Sequence, residues 1–202
     1  MDLIELLRRA SDSTETVLAR IGTTDHDRPS PCPEMTIALV AAHIVGGLRT
    51  FAVVGEGGEL SFDPGLDPDP SSASLAPVFR SAIDHLLAVF AEPGRLDASY
   101  DMPWGPTTGF QLIGFELIET VVHGWDIARG LGVELTVDDD VARATLDGAR
   151  MWVDDSVRVP GMFGPEVQTS SATPLDELVA FLGRDPGWRQ HEGTVDPTKA
   201  DR

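Results

Sequence analysis

The sequence predicts an all-α protein, a four-helix bundle with short additional C-terminal helices. Three observations support this class. Apolar residues recur at helical spacing in four long segments, loops rich in glycine and proline separate those segments, and strand-like alternation is weak throughout. The length of 202 residues predicts one helical-bundle domain over about 1–188, with a core bundle over about 1–155 and an extension over 156–188.

The helices can be placed one by one along the chain. In the first helix, leucine and alanine repeat every three or four residues. Thr36 is suited to cap the second helix, and Ser72 starts the third helix. An irregular segment with a short extended piece precedes the fourth, which Gly130 and Gly132 end. The tail, 189–202, has no apolar anchor and is expected to be disordered. The predicted helical ranges are 2–21, 37–55, 73–91, 109–129, 139–153 and 174–182.

Charge and cysteine content narrow the function classes. A net charge of −18 repels nucleic acid and anionic membranes, so neither is expected as a partner. The N-terminus lacks a secretory signal, and polar residues interrupt the most apolar stretch, 37–54, so no run is expected to cross a bilayer. A single cysteine, Cys32, excludes an intrachain disulfide and fits a cytoplasmic location. It is expected to be packed between two prolines, with a reactive thiol as the alternative.

The fourth helix carries an unusual stripe of ionisable residues. In GFELIETVVHGWDIARG, the side chains of Glu116, Glu119, His123 and Asp126 fall within about 80° of one another around the helix axis. The rest of this helix is apolar, so it is expected to be packed on several sides. Burying charged groups without partners costs several kcal/mol for each group. The stripe must therefore meet water, a basic partner or a metal ion.

A metal site is one explanation that the spacing favours. Glu119 and His123 stand one helical turn apart and direct a carboxylate and an imidazole toward one point. A second apolar helix carries His43, and two histidines with one glutamate form a known catalytic zinc set. With thiolate pairs excluded, such a metal is expected to use histidine and carboxylate. Core histidines bonded to neighbouring carbonyls are the alternative. Glu116 either supports a ligand or faces solvent, and Asp126 orients a ligand or caps a helix.

Three motifs resemble a known family. PCPEMTIALVAAHIVGG, ETVVHGWDIARGLG and FLGRDPGW are similar to the actinobacterial branch of the DinB/YfiT-like superfamily, which is related to the N-terminal domain of mycothiol-dependent maleylpyruvate isomerase. The resemblance covers about Leu3–Trp188. It implies a four-helix bundle with a divalent metal, zinc or nickel, held by His43, Glu119 and His123. Only about fifty residues follow the fifth helix, too few for the isomerase's second domain, so that reaction is not implied.

The leading hypothesis is a metal-dependent enzyme that uses a low-molecular-weight thiol such as mycothiol, as a thiol S-transferase acting on an electrophile. In it, Asp126 orients a ligand and Arg49 meets an anionic group of the substrate. A metal-dependent hydrolase with the same three ligands is the first alternative, and a metal-binding or ligand-binding bundle without turnover is the second. A purely structural bundle without metal is a third. A homodimer through helix faces is also expected for such bundles.

Overall fold

A computed structural model describes residues 2–60, 68–71, 74–159, 162–171 and 173–190. It confirms the all-α prediction, since the described residues form helices and one two-stranded hairpin. The elements are α1 (Leu3–Leu18), α2 (Ile37–Gly55), α3 (Ala76–Phe90), β1 (Ser99–Met102), β2 (Gly105–Thr108), α4 (Gly109–Leu131), α5 (Asp139–Trp152) and α6 (Pro174–Phe181).

The first four helices form the bundle. α1 packs against α3 and α4, and α2 packs against the same two helices, so each helix has two neighbours around one apolar core. α5 lies against α4 and α1, and α6 packs on α5. α4 is the most deeply buried of these helices, because bundle helices and α5 cover it on several sides. Any polar side chain on α4 is therefore held among packed neighbours.

Capping residues explain several boundaries. Thr36 caps α2 as predicted, with its side chain accepting a hydrogen bond from the Leu39 amide. Thr108 and Gln111 form a capping box at the start of α4. Gly132 ends α4 in the left-handed conformation at φ 72°. α4 therefore runs two residues past the predicted end at position 129.

Other predictions needed correction. α1 ends at Leu18 rather than Ile21, where turns replace the helix. α3 begins at Ala76, and the predicted start at Ser72 lies outside the described residues. The short extended piece is an antiparallel hairpin of β1 and β2. Most of the predicted disordered tail, 191–202, also lies outside the described residues, and the division into core bundle and extension stays a prediction.

The apolarity of α2 was underestimated from the sequence. Its 19 residues reach a mean hydropathy of 1.9 and by length and composition could cross a membrane. The bundle gives another explanation, since 72% of that window is buried among the other helices. A buried core helix needs the same apolar composition as a membrane span. A cytoplasmic location is consistent with this packing and stays a prediction.

Candidate functional site

The α4 stripe meets α2 at His43. Glu119 Oε2 lies 3.4 Å from His43 Nε2 and 3.0 Å from His123 Nε2. The two imidazole rings pack edge to face, with centroids 5.1 Å apart. One ligand atom from each of the three residues lies within 4.8 Å of the others. The structure therefore brings together the three side chains that the spacing predicted as metal ligands.

The site is open on one side and closed on the other. The side chain of His43 is 51% exposed, that of Glu119 is 31% exposed, and that of His123 is only 8% exposed. A pocket of about 490 Å³ reaches His43 from outside the bundle. Its lining is Met35, Leu39, Ala42, His43, Pro68, Asp69 and Pro70. A small molecule can therefore approach the donor set from the His43 side.

The charges of the three residues are strongly coupled. Burial alone raises the pKa of Glu119, but the charges and hydrogen bonds of His123 and His43 outweigh it and hold that pKa below its usual range. Burial alone lowers the pKa of His123, but Glu119 and Asp126 outweigh it and raise the pKa to about 9. Without a cation, a proton on His123 balances the surrounding carboxylates. The site is thus built to hold positive charge.

Asp126 stands behind His123 and is fully buried. Its Oδ2 atom lies 3.0 Å from His123 Nδ1. An ionised carboxylate only accepts hydrogen bonds, so Nδ1 is the donor and Nε2 is the nitrogen that faces Glu119. Such a carboxylate behind a histidine is common around metal ligands, where it sets the orientation of the ring. The geometry matches the predicted orienting role of Asp126, and that role stays a prediction.

Arg184 is a member of this site that sequence reasoning missed. Its Nη2 atom donates to Asp126 Oδ2 at 3.2 Å, and its side chain is only 6% exposed. Burial lowers the pKa of Arg184, but Asp126 outweighs this effect and raises it. The residue lies in FLGRDPGW, a motif noted only for its family resemblance. Nothing in the residue types or spacing of this motif indicates a contact between Arg184 and α4.

Cys32 lies at the inner edge of the same site. Its Sγ atom, with ligand atoms of His123 and Asp126, forms a second group within 4.8 Å. The prediction that a metal must use only histidine and carboxylate therefore missed one geometric possibility. Burial and the Asp126 charge raise the pKa of the thiol to about 11, which disfavours the reactive-thiol alternative.

Glu116 occupies a different environment from the other three stripe residues. It is 2% exposed, and its Oε2 atom has no hydrogen-bond partner among the described residues. Its Oε1 atom lies opposite Gly47 of α2, where a Cβ would approach to 3.2 Å. Burial and the charge of Glu119 raise its pKa well above the usual value. The alternative in which Glu116 faces solvent was wrong, because α2 covers it.

Arg49 is placed on another side of α2. It lies six positions after His43, which corresponds to a rotation of about 600°, or 240° beyond one full turn, and a rise of about 9 Å along the helix. The side chain is partly buried. Its predicted contact with an anionic substrate group stays a prediction.

Comparisons with known proteins agree with the family resemblance. The sequence profile of the mycothiol maleylpyruvate isomerase N-terminal domain matches residues 7–128. Two uncharacterized proteins of Mycobacterium tuberculosis, from strains CDC 1551 / Oshkosh and ATCC 25618 / H37Rv, are each 32% identical over 186 residues, covering 91% of this chain and 98% of theirs. No solved structure matches the chain.

Proposed function

The chain belongs to the family of the mycothiol maleylpyruvate isomerase N-terminal domain, and we propose that it is a divalent-metal-dependent thiol S-transferase. In this proposal, His43, Glu119 and His123 hold the metal, and a low-molecular-weight thiol of the mycothiol kind is the cosubstrate. The observation that carries the proposal is the approach of their ligand atoms to within 4.8 Å of one another, with one of the three residues, His43, lining an open pocket.

The donor set fits a divalent metal of the zinc or nickel kind. Two imidazole nitrogens and a carboxylate oxygen are ligands that these ions accept, and three protein ligands leave room for a further molecule. A proton on His123 now supplies positive charge that a cation would replace. When bound, the metal supplies Lewis acidity that lowers the pKa of a thiol beside it.

The chain's own residues support the use of an external thiol. Cys32 is the single cysteine, and a pKa of about 11 leaves it almost entirely protonated at neutral pH. The nucleophilic sulfur must then come from a small molecule. In the transfer, the thiol gives up its proton and its sulfur forms a bond to an electrophilic carbon. That carbon releases an electron pair to a leaving group or a neighbouring atom, which takes up a proton in place of the one that the thiol lost.

In this proposal, the pocket binds the electrophile and the buried Asp126 carboxylate orients His123. Met35, Leu39 and Ala42 offer an apolar wall beside His43, which suits the carbon skeleton of an electrophile. Asp126 accepts a hydrogen bond from Nδ1 of His123 and so keeps Nε2 directed at Glu119. The net charge of −18 supports small-molecule partners over nucleic acid or anionic membranes. Homodimer formation stays a prediction.

Metal content is the first test of this proposal. Protein purified without a metal-affinity tag is analysed by elemental mass spectrometry, with His43→Ala and Glu119→Gln as site variants. His85→Ala is the matched control, because His85 is a half-exposed histidine that pairs with Glu56, the residue at the C-terminal end of α2. About one zinc or nickel per chain is expected in wild type and control, and much less in the site variants.

Turnover is tested next with a chromogenic aromatic electrophile, with and without a small thiol. Product formation that needs the thiol and is lost in Glu119→Gln is expected. Product formed equally well without thiol would favour the hydrolase alternative. If no sample binds metal after zinc or nickel is added and the excess removed, the proposal is wrong.

A further inference from the structure

We propose that Arg184 is a positioning residue that fixes Asp126, and through it the imidazole of His123, so that the C-terminal extension completes the site. The metal in this inference rests on the proposed function, whereas the contacts between the three side chains do not. The family profile ends at residue 128, so it assigns no role to Arg184.

The argument begins with one shared oxygen. Asp126 Oδ2 accepts from His123 Nδ1 at 3.0 Å and from Arg184 Nη2 at 3.2 Å. The other oxygen, Oδ1, is buried and has no hydrogen-bond partner among the described residues. Among the described residues, the Asp126 carboxylate therefore accepts its hydrogen bonds at Oδ2. Removing the guanidinium would leave a fully buried carboxylate whose hydrogen bonding, among the described residues, comes from the His123 imidazole, which is costly in a low-dielectric interior.

Arg184 is itself held in place. Its backbone amide donates to Val179 O at 2.9 Å, and its Nη1 atom donates to Leu182 O at 3.0 Å. The preceding residue, Gly183, adopts φ 88°, and a Cβ there would meet the backbone of Gly164 at 2.7 Å. The turn after α6 thus needs glycine and has little freedom. This turn and the two hydrogen bonds of Arg184 hold its guanidinium in place against α4.

The guanidinium also explains why the inner group of donors need not hold a metal. Arg184 Nη2 lies 4.0 Å from Cys32 Sγ as well as 3.2 Å from Asp126 Oδ2. The positive charge of Arg184 would therefore repel a cation bound by Cys32, His123 and Asp126. Arg184 takes the place of a cation on the inner side of His123, and the outer side, with Glu119 and His43, is left for a metal.

Zinc affinity gives the first readout. The zinc Kd is measured by competition with a chromophoric chelator in wild type, Arg184→Met and Arg158→Met. Arg158 is the matched control, because it also holds the extension, by donating to Gly164 O and Phe181 O, and forms no hydrogen bond with Asp126 among the described residues. Arg184→Met is expected to raise the Kd about 10–100-fold, as loss of an orienting partner does. Arg158→Met is expected to stay within about twofold of wild type.

The His123 Nδ1 proton gives a second readout that needs no metal. In ¹⁵N-resolved NMR of metal-free protein, a slowly exchanging Nδ1 proton is expected in wild type and Arg158→Met, and its loss is expected in Arg184→Met. If wild type binds no zinc, the proposed function fails, and this signal still decides the present inference. The inference is overturned if Arg184→Met keeps the wild-type signal and Kd, or if Arg158→Met is affected as strongly.

A conservative variant covers the case in which Arg184→Met does not fold. Arg184→Lys keeps the positive charge but cannot reach Asp126 and Leu182 O together as the guanidinium fork does. We expect a zinc Kd at least about threefold above wild type and faster exchange of the His123 proton. Wild-type values for both would overturn the inference.

Discussion

Gly124 in the HGWD motif is expected to be required for the contact between α4 and α1. An ideal Cβ at this position would lie 2.4 Å from Thr14 Oγ1 and 3.2 Å from both carbons of that side chain. Thr14 is fully buried, and its hydroxyl donates to Thr120 O at 2.9 Å. Gly124→Ala must therefore move a helix or break this hydrogen bond.

The change in the free energy of unfolding follows from one favourable and two unfavourable contributions. Alanine is favoured over glycine inside a helix by about 0.8–1 kcal/mol. Overpacking a core costs about 1–3 kcal/mol, and a lost buried hydrogen bond costs about 1 kcal/mol more. The net result is a free energy of unfolding lowered by about 1–3 kcal/mol. For a chain of this size, that corresponds to a Tm lowered by roughly 2–12 °C.

Urea and thermal unfolding of four proteins test this reasoning: wild type, Gly124→Ala, Thr14→Ala and the double variant. Thr14→Ala removes Oγ1, the atom that the new Cβ would meet most closely, together with Cγ2, and leaves the Thr14 Cβ in place. Gly124→Ala should therefore cost much less in that background, with a coupling of at least about 1 kcal/mol. A Gly124→Ala protein as stable as wild type would refute the argument. So would costs that add without coupling.

Three further outcomes are expected. Zinc at about 100 times its Kd should stabilise the wild type by about 2.7 kcal/mol, which raises Tm by about 5–10 °C. A chelator should reverse this stabilisation, and zinc should cause no Tm shift in Glu119→Gln. Burial and the Glu119 charge hold the pKa of Glu116 in the fold well above its ordinary value of 4.5, so wild-type stability should fall relative to Glu116→Gln as pH rises above about 4.5. Parallel urea profiles between about pH 5 and 8 would contradict this. Cys32 should react with iodoacetamide at pH 7.5 at least about 100-fold more slowly than in urea-unfolded protein, and equal rates would show that burial does not raise its pKa.

Much of the helical framework was readable from local sequence. The cap at Thr36 and the glycine end of α4 at Gly132 depend on contacts within one or two turns, which short stretches of sequence encode. The pair of Glu119 and His123 is also local, because their spacing fixes their relative direction on any helix. His43 was predicted to join them from its apolar surroundings and from family resemblance, and the structure places it 3.4 Å from Glu119.

Only the tertiary structure decided the environment of each stripe residue. Glu116 and Glu119 are one turn apart on α4, yet one lies against Gly47 and the other meets two histidines beside an open pocket. Periodicity gives the face of a helix that a residue occupies, but not the neighbour that covers it. Arg184 shows the same limit over a longer distance, since the chain must complete α5 and α6 before this residue returns to Asp126. Such contacts depend on how whole elements pack, and no local spacing encodes them.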